Sequence, residues 1–243
     1  MSPFPSTRRF AVAGLRSPDP AERTRSFESI IAAYWKPAYK YLRVRWGGAS
    51  EEAQDLVQGF FLRAMEKDLL AGFDPAKGRF RTFLKVCLDG YVANEEKAAR
   101  RLKRGGDAVM LPLDFETAEG ELRAARMPSP DSIDRYFETE WVRGLFEMSV
   151  SALRDDCLKR SREVPFRLFE RYDLLDSEER RPSYANLASE YGIPVTTVTN
   201  HLALARREFR RIVLEKLREI TASDEEFRRE ARDLLGAEPG SAC

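Results

Sequence analysis

Residues 183–211 read SYANLASEYGIPVTTVTNHLALARREFRR and predict two short amphipathic helices joined by a tight turn. Leu187 and Ala188 can face inward from the first helix. Gly192 permits the left-handed backbone that reverses the chain, and Pro194 suits the first position of the next helix, whose N–H needs no partner. The inward stripe of that second helix consists of Val198, Leu202 and Ala205. Together these features are typical of a helix-turn-helix.

The outward face of the second helix carries short polar side chains that can reach base edges and phosphates in a major groove. These residues are Thr196, Thr197, Thr199, Asn200 and His201. A cluster of arginines follows, placed to contact the charged backbone of the DNA: Arg206, Arg207, Arg210 and Arg211. The pattern therefore predicts contact with double-stranded DNA. A helical hairpin with a merely solvated polar face is the alternative, and the conjunction of glycine, proline, threonines and arginines disfavours it.

The charge of the whole chain is nearly balanced, with 41 basic and 40 acidic residues among 243. A uniformly basic nucleic-acid binder is therefore excluded, and any contact with DNA must come from local clusters. Hydrophobic residues make up 43% of the chain, which is enough for the packed cores of one large domain or two small ones.

Other classes of protein and of site are poorly supported. Cys87, Cys157 and Cys243 lack a CxxC pair or neighbouring histidines, so no metal site is expected and a reducing compartment fits. No apolar run is long enough for a membrane span and the start lacks a signal core, so we expect a cytoplasmic protein. An enzyme is the weakest hypothesis, because one histidine makes no catalytic triad and no glycine-rich loop opens a helix. No cofactor is expected.

The fold is predicted to be all-α, with two helical domains joined by an acidic linker and a helix-turn-helix in the second. The linker is indicated by a stretch from Gly106 to Glu121 that has five acids and no lysine or arginine. The predicted segments are a loosely ordered arm at 1–25, a helical domain at 26–105, the linker at 106–131, the second domain at 132–220 and a polar tail with one amphipathic piece at 221–243.

Two helices are predicted at the start of the first domain. One runs from Ser26 toward Trp46 and is ended by glycines, and the next begins with Ser50 as its N-cap. Its broad buried face comprises Leu56, Val57, Phe60, Phe61, Ala64 and Met65. A different face, free to meet a partner, comprises Asp55, Gln58 and Leu62.

Residues 78–106, GRFRTFLKVCLDGYVANEEKAARRLKRGG, interleave aromatic with basic side chains. Helical spacing predicts a core role for Phe80, Phe83, Leu84, Cys87 and Tyr91. The basic residues are Arg79, Arg81, Lys85, Lys97, Arg100, Arg101, Lys103 and Arg104. Such a surface fits a single or melted strand, whose bases stack on aromatics and whose phosphates pair with cations. A solvated charged helix end explains the same spacing equally well.

Nearly the whole chain resembles the ECF-type sigma factors of bacterial RNA polymerase. The resemblance rests on AQDLVQ at 53–58 with FFL at 60–62, KGRFRTFL at 77–84, NE at 94–95, KRGG at 103–106, Tyr184, LA at 187–188, GI at 192–193, TV at 197–198 and AR at 205–206. It implies that the protein is not an enzyme but directs core RNA polymerase to promoters and helps to melt them. The free protein is expected to be monomeric.

The resemblance also implies a role for each domain. The first would dock on the clamp helices of the largest polymerase subunit through Asp55, Leu56, Gln58 and Leu62. It would capture the melted minus-ten element through Tyr91, Asn94, Lys97, Arg100, Arg101, Lys103 and Arg104. The second domain would sit on the flap of the other large subunit and read the minus-thirty-five element through Thr196, Thr197, Thr199, Asn200, His201, Arg206 and Arg207. The linker would thread the RNA exit path.

Two departures from the family pattern affect these roles. Gln54 stands where many members have a glutamate in the docking motif, so docking would either be weaker or lean more on Asp55 and Glu51. Thr199, Asn200 and His201 replace the lysine, serine and arginine that the family often has, so the promoter sequence does not follow from the resemblance. His201 fits a guanine or phosphate contact and a packed polar-face histidine equally well.

Two rival hypotheses are a stand-alone regulator, which belongs to the same broad class, and an interaction protein, which belongs to a different one. A stand-alone regulator would bind symmetric duplex operators as a dimer without polymerase. An interaction protein would hold another regulator with its amphipathic helices, and would tolerate neutralisation of its arginine clusters. Control of the protein by an anti-sigma factor or a kinase is left open by the two termini.

Overall fold

The computed structural model describes residues 11–47, 49–99, 111–125, 132–175 and 181–236. Within these ranges the protein is all-α, as predicted, with ten α-helices and no strand. The helices are α1 (Ala11–Gly14), α2 (Pro20–Trp46), α3 (Ser50–Glu66), α4 (Phe80–Ala99), α5 (Phe115–Ala124), α6 (Ile133–Lys159), α7 (Glu163–Asp173), α8 (Tyr184–Tyr191), α9 (Val195–Ile220) and α10 (Asp224–Leu235). Two 3-10 turns, Leu69–Gly72 and Pro75–Lys77, connect α3 to α4.

The chain divides into two compact units. The first gathers Met1–Gly144 and Leu217–Cys243, and the second is Leu145–Lys216. These packing boundaries fall inside α6 and α9, away from the functional boundaries predicted at 105 and 132. The start of α6 belongs to the first unit because Trp141 is buried there and stacks on Tyr34 of α2, with 6.3 Å between the ring centroids. The functional boundaries themselves stay a prediction.

The core of the first unit is formed by aromatic and aliphatic side chains of α2, α3 and α4. Phe80 of α4 meets Tyr34 edge-on at 5.7 Å, and Phe60 meets Tyr91 at 5.9 Å. On α4 the buried stripe is Phe80, Leu84, Leu88 and Val92, while Phe83 and Cys87 are only half-buried. On α3, Val57, Phe60, Phe61 and Ala64 are buried as predicted, but Leu56 is half-buried and Met65 exposed. Ser50 is the first residue of α3 rather than its cap, and its hydroxyl bonds that of Tyr39.

The expectation of a loosely ordered arm at residues 1–25 is wrong for residues 11–25. Asp19 caps α2 by accepting from the N–H of Ala21, and Pro20 occupies the first turn, where its missing N–H costs nothing. Arg16 donates to the backbone carbonyls of Ala71 and Phe73, which ties the segment to the 3-10 region. Residues 1–10 of the predicted arm lie outside the described ranges.

The predicted linker contains a helix. Asp114 caps α5 by accepting from the N–H of Thr117, and Phe115 contacts Trp35 and Tyr39 of α2 at 5.4 and 5.1 Å between ring centroids. Acids read from sequence as linker residues therefore belong to an amphipathic helix whose apolar side is buried. The rest of the predicted linker, at 106–110 and 126–131, lies outside the described residues.

The amphipathic piece predicted in the tail is α10, which begins after the N-cap Ser223 and ends at Gly236. It belongs to the first unit, because Glu226 accepts from the N–H of Phe80 at the start of α4 and Phe227 is buried. Residues 237–243 of the tail are not among those described.

The second unit holds the two helices and the turn predicted between Ser183 and Arg211. Ser183 caps α8 by accepting from the N–H of Asn186, and Gly192 ends it in the left-handed region at φ +64°. The core beneath the turn consists of Leu168, Leu187, Val198 and Leu202, and Ala205 is buried beside Phe169 and Ile212, as the inward stripe predicts. Pro194 immediately precedes α9, and its carbonyl accepts from Thr197 and Val198.

Two glycine substitutions test the turn. A Cβ at Gly192 meets nothing within 4 Å but must adopt φ +64°, whereas Gly90 is exposed within α4 and also has free space. We expect Gly192→Ala to destabilise the second unit by about 1 kcal/mol, and Gly90→Ala to stabilise the first by about 0.5–1 kcal/mol. Denaturant unfolding followed by circular dichroism measures both changes. Equal effects of the two substitutions would contradict a strained turn.

Candidate nucleic-acid interface

The polar face of α9 is largely open to solvent. Thr196, Thr199 and Asn200 are exposed, and Thr197 and His201 are partly exposed. The hydroxyl of Thr199 donates to the carbonyl of Val195 at 3.0 Å, which leaves its oxygen available as an acceptor. The five side chains predicted from sequence to face a groove are thus together on the first two turns of one helix.

The arginines beyond that face are partly engaged within the chain. Arg206 forms a bidentate pair with Asp173 of α7, with Nε and Nη2 each 2.9 Å from a carboxylate oxygen. It also lies over the ring of Tyr172 at 5.4 Å, and hydrogen bonding to Asp173 raises its pKa. Arg211 pairs with Glu208 and Glu215 along α9.

Arg206 and Arg207 are both exposed, and Arg206 differs in being held by Asp173. Sequence reasoning missed the partner of Arg206 because Asp173 lies 33 residues away and on another helix. The predicted row of backbone contacts is therefore not uniform. Arg207 is presented to solvent, and Arg206 is held in place by the protein itself.

The partner face predicted on α3 is only partly open. Asp55 is exposed, and Leu56 and Leu62 are half-buried. Gln58 was expected on the same free face, but it is only 6% exposed and its Oε1 accepts from the backbone N–H of Leu111 at 3.2 Å. That expectation is wrong for Gln58, because a segment 53 residues later in the chain covers it. Gln54, the departure from the family motif, donates to Ser50 at 3.0 Å.

Of the residues predicted for strand capture, some lie on α4 and the others lie outside the described residues. Tyr91 is half-buried with a pKa raised by burial, and Asn94 is exposed one turn later. Lys97 lies on α4, and Arg100, Arg101, Lys103 and Arg104 lie outside the described residues.

Gly59 of α3 sets the position of the Tyr91 ring. A Cβ at residue 59 would lie 2.3 Å from the Tyr91 hydroxyl oxygen, which is closer than real Cβ atoms come. A side chain at residue 59 would therefore require the hydroxyl end of Tyr91 to shift.

The basic residues at the start of α4 are neutralised by acids of the same unit. Arg79 pairs with Asp233 at 2.6 Å and with Glu230. Arg81 is buried, pairs with Glu230 and lies over the Trp141 ring at 4.7 Å. Lys85 pairs with Asp89 and lies over Tyr41. The part of the basic surface expected at Arg79, Arg81 and Lys85 is therefore not a free surface, because α10 and α4 itself supply the counter-charges.

Among the described residues, no group of three histidine, cysteine, aspartate or glutamate side chains is placed to hold a metal ion. Burial raises the pKa of the thiols of Cys87 and Cys157. None of the helices described is both long and apolar enough to cross a bilayer.

Residues 30–104 match the family model of sigma-70 region 2. The match supports a sigma factor of the sigma-70 family. Sigma-70 region 2 implies a role in promoter recognition and melting, with core RNA polymerase and promoter DNA as partners, and the family is not enzymatic. Comparisons with curated proteins and with solved structures gave no match.

The matched range begins in α2 and includes all of α3 and α4. Both the open face at Asp55 and the half-buried Tyr91 therefore lie within region 2. The helices α8 and α9, with their exposed polar face, lie outside the match.

Two neighbouring arginines allow a matched comparison on α9. We expect Arg206→Ala to destabilise the second unit by about 1 kcal/mol, because it removes a bidentate ion pair and a cation–π contact. Arg207→Ala should change the free energy of unfolding by less than about 0.5 kcal/mol, since it changes an equally exposed arginine and leaves the pair with Asp173 intact. Urea unfolding at low and at high salt measures both, and an unchanged stability of the Arg206 variant would contradict the pairing.

Proposed function

We propose that the protein is an ECF-type sigma factor that binds core RNA polymerase, directs it to promoters with minus-ten and minus-thirty-five elements, and aids their melting. The observation that carries the proposal is the region 2 match over residues 30–104. The separate helix-turn-helix at Tyr184–Ile220 supports the minus-thirty-five role. The chemistry is the polymerase's own, so the protein needs no catalytic side chain. The proposed site of action is the cytoplasm.

The polymerase contact is assigned to α3. Asp55 offers an exposed carboxylate beside the half-buried Leu56 and Leu62, which together make a mixed apolar and acidic face. Such a face fits a basic, amphipathic helix pair such as the clamp of the largest subunit. Gln58 belongs to the same face once the chain that covers it has moved.

Promoter melting is assigned to α4 and its basic continuation. Unstacking a base costs a few kcal/mol, and binding the flipped base and its phosphates can offset that cost. Tyr91 and Asn94 would meet the base, and the cations from Lys97 to Arg104 would meet the phosphates of the opened strand.

Recognition of the minus-thirty-five element is assigned to α9, with the proposed second domain at 132–220 seated on the polymerase flap. The hydroxyls of Thr196 and Thr197 and the amide of Asn200 can both donate and accept at base edges, the hydroxyl oxygen of Thr199 can accept, and His201 lies beside them. Arg207 and Arg206 would meet phosphates, Arg206 after exchanging Asp173 for a phosphate oxygen. In this arrangement the proposed linker at 106–131 would follow the RNA exit path.

Transcription by core polymerase tests the proposal directly. Core RNA polymerase lacking any sigma factor is supplied with the region upstream of the protein's own gene, with and without the protein. Specific initiation that requires the protein is the expected result. Tight binding of symmetric duplex sites by the protein alone, without initiation, would instead favour a dimeric regulator.

Asp55→Ala tests the polymerase face, with Glu28→Ala as the control that removes one exposed carboxylate from α2. We expect the Asp55 variant to bind core polymerase about tenfold more weakly, a loss of about 1.4 kcal/mol. DNA binding through the second unit should not change. Titration of fluorescently labelled protein with core polymerase measures the affinity, and equal losses in both variants would contradict the assignment.

A further inference from the structure

The helix α5 is docked on α2 by an apolar contact and by a set of ion pairs. Phe115, Ala118 and Leu122 are buried on its inner side. Glu119 accepts from Arg43 through both oxygens, at 2.8 and 3.0 Å, and from the Tyr39 hydroxyl at 2.7 Å. Glu121 pairs with Lys36 at 2.5 Å and Lys40 at 2.7 Å. Hydrogen bonding from Arg43 lowers the pKa of Glu119 to about 2, so this carboxylate is ionised at neutral pH.

The segment that leads into α5 contacts α3 at Gln58. The backbone N–H of Leu111 donates to the Oε1 of Gln58 at 3.2 Å, and that side chain is only 6% exposed. Leu111 therefore occupies one position of the face assigned to polymerase, and α5 anchors the segment on α2. A partner that uses Gln58 must displace Leu111 first.

The contacts of α5 are of a kind that can be released. Lys40, the most buried cation at this contact, also pairs with Glu140 of α6 at 2.6 Å and keeps that partner when Glu121 leaves. The side chains of Lys36 and Arg43 are 18% and 20% exposed, so water can hydrate them in place of the carboxylates. Undocking α5 therefore leaves no buried charge without a counter-charge, which is the arrangement that would otherwise cost several kcal/mol.

The helix α10 provides the contrast within the same unit. Its Glu230 is 1% exposed and pairs with Arg81, which is 7% exposed and would keep only Glu138, at 3.7 Å, if α10 left. The buried backbone N–H of Phe80 would also lose its acceptor, Glu226. The contacts of α10 are therefore more costly to break than those of α5.

We propose that residues 111–124 form an intramolecular cover on the polymerase-docking face of α3, held closed by the ion pairs of α5 with α2 and released when core polymerase binds. The proposal rests on the proposed function and adds a regulation of that same site. The free protein spends most of its time closed, which lowers its apparent affinity for polymerase by the fraction that is open.

Hydrogen exchange of the full-length protein tests the cover. Amides of 115–124 should be protected in the free protein and exchange faster when core polymerase is added, because α5 leaves α2. Exchange of α5 that stays the same or slows in the complex would overturn the cover. Failure of the protein to bind core polymerase at all would overturn the proposed function together with the cover, so the two failures are distinguishable.

A pair of substitutions on α5 supplies the matched variants. Glu119→Gln weakens the contact with Arg43, whereas Glu116→Gln makes the same change at an exposed residue of the same helix. If the open form occupies about a tenth of the free molecules, Glu119→Gln should tighten polymerase binding by up to about tenfold and speed exchange in α5. Glu116→Gln should change neither.

Equal polymerase affinities of these two variants would overturn the proposal. Circular dichroism confirms that each variant is folded. Should Glu119→Gln fail to fold, Glu121→Gln tests the same prediction, because its carboxylate faces Lys36 and Lys40 and is more exposed than that of Glu119.

Discussion

The first unit depends on matching the charge of a buried guanidinium. Arg81 lies at the start of α4, over the Trp141 ring of α6 and against Glu230 of α10, and Trp141 stacks in turn on Tyr34 of α2. A buried charge without such partners would destabilise the fold by several kcal/mol. The contacts of Arg81 and Trp141 thereby join α2, α4, α6 and α10, and they help to explain why α10 packs with the N-terminal part of the chain.

The near-neutral net charge of the chain is reflected in ion pairs inside the first unit. Inside the first unit, acidic residues of α5 pair with basic residues of α2, and acidic residues of α10 pair with Arg79 and Arg81 at the start of α4. Part of the positive charge of the first unit is therefore balanced locally. Under the proposed function, a smaller set of basic residues is left for nucleic acid, so recognition would depend on their placement rather than on bulk charge.

Structural features that depend on residues close together in the chain could be predicted from the sequence. Gly192, Val198 and Leu202 follow from a turn preference and a helical period, and both act within a few residues. Gln58 and Arg206 could not be placed in the same way, because their partners are 53 and 33 residues away and reach them only through tertiary packing. The acids of residues 114–121 read as a linker for the same reason: composition alone does not show that their helix has a basic surface to pack on.

The close approach of Gly59 to Tyr91 links two positions of region 2 in evolution. Any side chain at 59 would meet the hydroxyl of Tyr91, which stands 2.3 Å from where its Cβ would be. Alanine at the first position would require either a shift of the Tyr91 ring or a residue without that hydroxyl, such as phenylalanine, at the second. Among relatives we therefore expect a larger residue at 59 to favour the loss of the hydroxyl at 91.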